Sequence, residues 1–285
     1  DVVGAGGMEA MTNAPHLALG ARKGTSYGDM TLADSLAHDG LVDVELQIPM
    51  GELTETGNSE RSISREEQDQ VAARSHQLAG KAQQDGVFAD EIAPIEIPQR
   101  KGDPVTVSED QGVRPNSTAE GLGKLRAAFT KDGTITAGNS SPISDGAAAM
   151  VLTTRGYAQE HGLDWLAVVG RPGQVAGPDT SLHSQPSRAI EHALSRAEWT
   201  AADLDFIEIN EAFAAVSVQS VRDLGVDMDK VNIHGGAIAL GHPIGASGAR
   251  LALHAAMELA RRGSGKAAVS LCGGGGQGEA LLLSR

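Results

Sequence analysis

From about residue 163 to its end the chain alternates short apolar runs with amphipathic segments, which restricts it to a layered α/β fold. "DFIEIN" reads as a strand whose last residue, Asn210, can cap the helix "EAFAAVSVQSVRDLG". "KVNIHG" reads as a further strand. After the small-residue stretch "GGAIALGHPIGASGAR" (Gly235 to Arg250), the period is helical from Ala246 to Arg262. Ala249, Leu253, Ala256, Met257 and Ala260 make one face, and Arg250, His254, Glu258 and Arg262 make an opposite polar stripe. "KAAVSLC" and "EALLL" close the chain as strands around a glycine run.

The upstream texture differs. Residues 1–15 read as a strand at Val2-Val3, then "GAGG", then a loop. Residues 16–140 are polar and charged. Their clearest element is a helix in "SREEQDQVAARSHQLAGKAQQDG", opened by a capping box of Ser64 and Glu67, with Val71, Ala72, Leu78 and Ala79 as its apolar face. "IAPIEIP" reads as an edge strand because of Pro94 and Pro98. The chain opens without methionine and at once on a strand, so it reads as lacking its N-terminal part. "VVGAGGME" and "VSLCGGGGQGE" share a strand, a glycine cluster and an acidic exit, an echo that suits two similar halves.

Composition narrows the class. A chain of 285 residues can bury a sizeable core, and 36 glycines with few aromatics fit an enzyme rich in tight turns. A net charge of −14 argues against a nucleic-acid partner. No apolar run is long enough to span a membrane. One cysteine forbids an internal disulfide and a Cys-rich zinc site, which makes a reducing compartment, the cytoplasm, the expectation.

Several motifs compete. "GGGGQG" (Gly273 to Gly278) matches a dinucleotide-binding pattern, yet no helix follows to offer amide donors to a pyrophosphate. Its glycines better suit backbone N–H groups approaching a reacting oxygen. "GTSYG" fits a serine-nucleophile elbow but follows the polar "LGARK" rather than a core strand. Cys272 ends a strand, His242 stands between Gly241 and Pro243 before a helix, and Asn210 ends another strand. Three such residues in successive segments of one α/β unit are expected at one sheet edge, where a Cys–His pair suits thiol chemistry. His16, His38, His76, His161, His183, His192, His234 and His254 are expected at the surface or in loops.

"NEAFAAV" (Asn210–Val216), "GGAIALGHPIGASGAR" and "CGGGGQG" (Cys272–Gly278) resemble the three C-terminal motifs of the thiolases. "AGGMEAMTNAPH" and "TITAGNSSPISDGAAA" resemble thiolase segments too, so the likeness covers essentially the whole chain; "GASGAR" looks most like the acetyl-CoA acetyltransferase branch. The resemblance implies a five-layered αβαβα fold with an inserted loop domain and an incomplete N-terminal half. Residues 1–15 and 141–162 would be remnants of that half, 16–140 the CoA-binding loop domain, and 163–285 the C-terminal half.

It also implies chemistry: two acetyl-CoA condense to acetoacetyl-CoA and CoA, by a ping-pong route through two cysteines. Cys272 matches the acid/base cysteine, His242 the histidine that activates the nucleophilic cysteine, Asn210 the residue that positions a water for one oxyanion hole, and the Gly274 N–H the other hole. The nucleophilic cysteine is expected upstream of Asp1, so the chain alone is expected to lack transferase activity. Arg114, Leu125, Phe129 and Ser141 would contact CoA, and Phe213 and Met50 would line the acyl pocket. "IPMG" puts Pro49 where many short-chain members carry histidine, a departure shared with thiolases that degrade longer 3-ketoacyl-CoAs, so a degradative 3-ketoacyl-CoA thiolase stands as the alternative, beside an inactive CoA-binding fragment. The implied substrates are CoA thioesters with no metal or further cofactor, and the implied full-length assembly is a homodimer or homotetramer.

Overall fold

The helical period after His242 becomes a 19-residue helix, and in the computed structural model, which describes residues 1–285, this helix lies between two sheets. In chain order the first elements are β1 (Val2–Ala10), β2 (His16–Leu17), β3 (Ala33–Asp34), α1 (Met50–Glu60), α2 (Arg65–Gln84), β4 (Ile95–Ile97), β5 (Val105–Val107) and α3 (Ala119–Leu122). There follow β6 (Asp145–Thr153), α4 (Arg155–Glu160), β7 (Val168–Ala176), α5 (Gln185–Ala197), β8 (Phe206–Ile209) and α6 (Ala214–Leu224). The chain ends with α7 (Ala237–Leu240), α8 (Ile244–Arg262), β9 (Lys266–Gly273) and β10 (Gln277–Ser284).

The larger sheet has the order β7-β10-β9-β8, with β8 and β9 parallel and the other neighbours antiparallel. One face is covered by α5 and α6, through Ile190 and Leu194 packed on Ile207, Ile209 and Leu282. The other is covered by α8, whose Leu251, Ala255 and Leu259 meet Phe206 and Val269. Each fully buried leucine there contributes about 1.5–3 kcal/mol. On its far side α8 meets the antiparallel pair β1–β6. The layers therefore run helix, sheet, helix, sheet, four of the five expected. The outer face of β1–β6 leaves Met8 75% and Val151 77% exposed. No helix is long and apolar enough to cross a membrane.

The segments before β6 pack onto this frame. The capping box of α2 is reciprocal: the Glu67 N–H donates to Ser64 Oγ (3.2 Å) while the Ser64 N–H donates to the Glu67 carboxylate (2.9 Å). Val71 and Ala72 then pack against Ala214, Val218 and Ile238 of α6 and α7. β4 is a strand as expected, paired only with β5, and its Ile95 and Ile97 stay exposed.

Four local expectations need correction. The first strand does not stop at Val3 but runs through "GAGG" to Ala10. Its glycines serve a close approach: a Cβ on Gly7 would stand 1.8 Å from the Gly245 carbonyl oxygen at the start of α8. "KVNIHG" is not a strand; only Val231 bridges to Ile207. Asn232 turns out of line at φ 48° and uses its side chain instead, accepting from the Ile209 N–H and donating to the Ile209 carbonyl (both 2.8 Å). A side chain thus replaces a neighbouring strand.

Asn210 does not cap a helix. Phe213, itself extended, holds the N-cap position of α6, because Asn210, Ala212 and Phe213 pair with neighbouring backbone before the helix begins. Finally, His76 and His254 are buried on helices rather than at the surface or in loops, Glu258 of the polar stripe of α8 is buried too, and His183 lies in a loop as expected but buried. Each histidine has a partner: His76 Nδ1 accepts from the Arg114 N–H, His183 Nε2 pairs with Asn58 Oδ1 at 2.8 Å, and His254 Nδ1 pairs with Glu91 at 2.8 Å.

The contact between β1 and α8 makes a clean test. Gly7→Ala is expected to destabilise the fold by about 1–3 kcal/mol, read as a lower urea midpoint. Gly4→Ala, where a Cβ would meet nothing within 4 Å, is expected to leave the midpoint unchanged. Equal midpoints for both variants would contradict the close approach.

Candidate active site

Because β8 and β9 are parallel, Asn210 and Cys272 leave the larger sheet at the same edge. The Asn210 N–H donates to the Ser270 carbonyl at 2.9 Å, extending the ladder one residue beyond β8. Cys272 lies two residues further along β9. Its thiol is buried among Ile135, Leu182, Phe213 and Val216, with half-buried Met50 beside it. Burial pushes that thiol up to about 12. Beyond it β9 reverses through Gly275 and Gly276, both at positive φ, and a Cβ on Gly276 would stand 1.9 Å from the Asp179 carbonyl oxygen.

One short segment, residues 139–144, stitches the functional loops together. The Ala214 N–H donates to the Asn139 carbonyl (2.9 Å), Ser140 bridges to Phe213, and the Ser141 N–H and hydroxyl both donate to the Ala212 carbonyl (3.1 Å each). At its far end Ser144 Oγ accepts from the His242 N–H at 3.1 Å. The loop after Asn210 and the loop holding His242 are thereby fixed to the same strip of backbone.

His242 is partly buried, and its Nδ1 lies 2.6 Å from Ser247 Oγ in the first turn of α8. Burial, and then the positive charge of Arg250, lower its pKa from the ordinary 6.5 to about 4, so the ring is neutral at neutral pH. Asn210 is fully buried, yet neither its Oδ1 nor its Nδ2 has a protein partner. A buried amide with donor and acceptor both unused is costly unless something else satisfies it. Glu211 beside it is fully engaged: its carboxylate accepts from Ser75 Oγ (2.6 Å), Asn232 Nδ2 (2.8 Å) and the Ile238 N–H (3.1 Å). Burial raises its pKa, and it raises that of Glu208 to about 7.

The remaining residues singled out from the sequence divide. Met50 packs at Cys272 and also against Gly274, where a Cβ would meet its Cε at 2.9 Å. Phe129 meets Phe213 edge-on at 6.1 Å between ring centroids. Leu125 lies over Gly138, and Ser141 is tied to Ala212 as described. Met50, Phe129, Ser141, Phe213 and Gly274 thus form one neighbourhood around Cys272. Arg114 stands exposed on a loop of its own, beside Gly112, which abuts the Ala239 carbonyl ahead of His242. Sequence reading missed Ser144, Ser247, Glu211 and Asn232. Their signal is slight: each is a polar or acidic residue that gains meaning only through a partner distant in the chain or across a turn.

The comparisons with known proteins agree in direction. The family description "Thiolase, N-terminal domain" matches residues 1–156, and "Thiolase, C-terminal domain" matches 163–285. A probable acetyl-CoA acetyltransferase of Mycolicibacterium smegmatis is 60% identical over 285 residues, covering 100% of this chain and 74% of that protein. The crystal structure of the Bacillus anthracis acetyl-CoA acetyltransferase matches with a TM-score of 0.95 at 41% identity, covering 100% of this chain and 72% of that one. Human mitochondrial 3-ketoacyl-CoA thiolase in complex with CoA matches with a TM-score of 0.94 at 40% identity, covering 100% and 71%.

The electrostatics of His242 can be measured directly. Its ring is expected to titrate near pH 4 rather than 6.5 in an imidazole NMR titration of the folded chain. An unfolded chain would take that proton near 6.5, so His242 withdraws stability as pH falls from 6.5 towards 4 and nothing further below. A midpoint above 6 would refute the burial argument.

Proposed function

The chain belongs to the thiolase family, and from that premise we propose that it carries the acid/base, oxyanion and CoA-binding parts of an acetyl-CoA C-acetyltransferase. The observation that carries the reading is the buried Asn210 amide, with donor and acceptor both unpartnered, at the sheet edge that also presents Cys272. A C–C bond next to a thioester is hard to form because the α-proton is weakly acidic. Hydrogen-bond donors aimed at the developing enolate oxygen lower that barrier.

In this reading Asn210 holds a water that, with His242, faces one thioester oxygen, and the Gly274 N–H faces the other. The Cys272 thiol exchanges a proton with the α-carbon of the incoming acetyl-CoA. Its high pKa suits a group that must hand the proton back, and suits poorly a group that must carry the acyl chain. Met50 and Phe213 bound the acyl end, and Phe129, Leu125, Ser141 and Arg114 meet the CoA moiety. Arg114 supplies local positive charge that a chain of net −14 otherwise withholds from an anionic substrate. The acyl group itself is carried by a second, nucleophilic thiol. Cys272 is the chain's sole cysteine, so the 285-residue polypeptide by itself is expected to complete no transferase turnover. The working assembly is a homodimer or homotetramer in the cytoplasm, with CoA thioesters as the sole small molecules required.

A second reading, a degradative 3-ketoacyl-CoA thiolase, is favoured by Pro49 ahead of Met50-Gly51 and by the likeness to the human 3-ketoacyl-CoA enzyme. Thiolysis assays separate the two once the nucleophilic cysteine is supplied. The leading reading expects acetoacetyl-CoA to be cleaved with higher kcat/KM than a long-chain 3-ketoacyl-CoA; the reverse order supports the second.

The roles can be tested on the same material. His242→Ala is expected to lower acylation of the nucleophilic cysteine by about 10²–10⁴-fold. Cys272→Ser is expected to permit acylation and block carbon–carbon bond formation. Equal loss of both half-reactions in both variants would contradict the separate roles, and sustained thiolysis by the 285-residue polypeptide alone would contradict the need for a second thiol.

A further inference from the structure

We infer that Ser247 is a positioning residue that fixes His242 in a single tautomer, with the proton on Nδ1 and the free lone pair on Nε2. Ser247 Oγ makes two short contacts, 2.6 Å to His242 Nδ1 and 2.9 Å to the Pro243 carbonyl oxygen, and the side chain is almost wholly buried. A hydroxyl has one proton to give. Given to the imidazole, it would leave two oxygens facing each other at 2.9 Å with no proton between them. Given to the carbonyl, it leaves Ser247 Oγ to accept from Nδ1–H, and every contact is favourable. The carbonyl also takes the N–H groups of Ala246 and Ser247, which holds it in place as the end of this chain of bonds.

Free imidazole favours the opposite tautomer, so a structure that needs Nε2 as acceptor has to impose it. The backbone of His242 is pinned separately, by the bond from its N–H to Ser144 Oγ (3.1 Å). Loop position and ring tautomer therefore have different owners.

The inference rests on the reading of His242 as the site's proton acceptor, but its test needs no turnover. Imidazole nitrogen NMR on the 285-residue chain at neutral pH is expected to show a protonated Nδ1 and an unprotonated Nε2 for His242. The opposite pattern overturns the inference. Ser247→Ala is expected to shift both ring signals towards the tautomer of free imidazole or towards an average of the two, and Ser247→Thr to keep the wild-type pattern. Ser144→Ala, which removes the backbone partner alone, is expected to leave the ring signals in place. Unchanged signals in Ser247→Ala, or an equal shift in Ser144→Ala, also overturn it. If the tautomer is as inferred and His242→Ala still acylates at the wild-type rate, it is the acyl-transfer reading that fails and not this one.

Discussion

The structure depends on how closely α8 is held between its two sheets. Gly7 of β1 and Gly245 of α8 meet backbone to backbone, with no room for a side chain on either. That contact sets the height of the first turn of α8 above β1, and His242 stands at the entry to that turn. From the other side Leu251 and Leu259 anchor the helix to the larger sheet, where Cys272 and Asn210 end their strands. The position of His242 is therefore set by a helix packed on both faces as well as by the loop that carries it, and interior packing makes that arrangement hard to change.

Burial then assigns charge. The same removal from water that lowers His242 to about 4 raises Cys272 to about 12. Both groups therefore rest neutral. A thiolate–imidazolium pair is thus not the resting state of this site. Under the proposed function Cys272 exchanges its proton with the α-carbon of the substrate and His242 serves the separate nucleophilic thiol, so each transfer is tied to bound substrate.

Much of this was legible in the sequence, and the failures share a cause. The α/β alternation, the capping box at Ser64 and Glu67, and the convergence of Asn210 and Cys272 on one edge follow from local period and strand direction, which the sequence carries. The continuation of β1 through "GAGG" does not, because glycine lowers strand propensity at the place where α8 demands it. "KVNIHG" has a strand's composition, yet the Asn232 amide takes up the backbone groups of Ile209 that a strand would have paired. Asn210 looks like a cap because caps are the commonest use of a strand-ending asparagine. Its pairing to Ser270 and the strip at residues 139–144 are long-range facts.

The polar stripe of α8 shows the same limit in its electrostatics. Arg250, His254, Glu258 and Arg262 recur with helical spacing, and spacing alone suggests a face turned to water. Instead His254 and Glu258 are buried: Glu91 pairs with His254 and with Arg261, and Arg261 and Arg262 hold Glu258. A carboxylate arriving from the segment between α2 and β4 closes a network that the helix begins, so the stripe is an interface between two parts of the chain. Arg250, at the N-terminal end of that stripe, is also the cation that helps hold His242 neutral. The residues that bind the loop region to α8 and a residue that adds to burial in keeping the site's imidazole neutral are thus successive positions on one helical face.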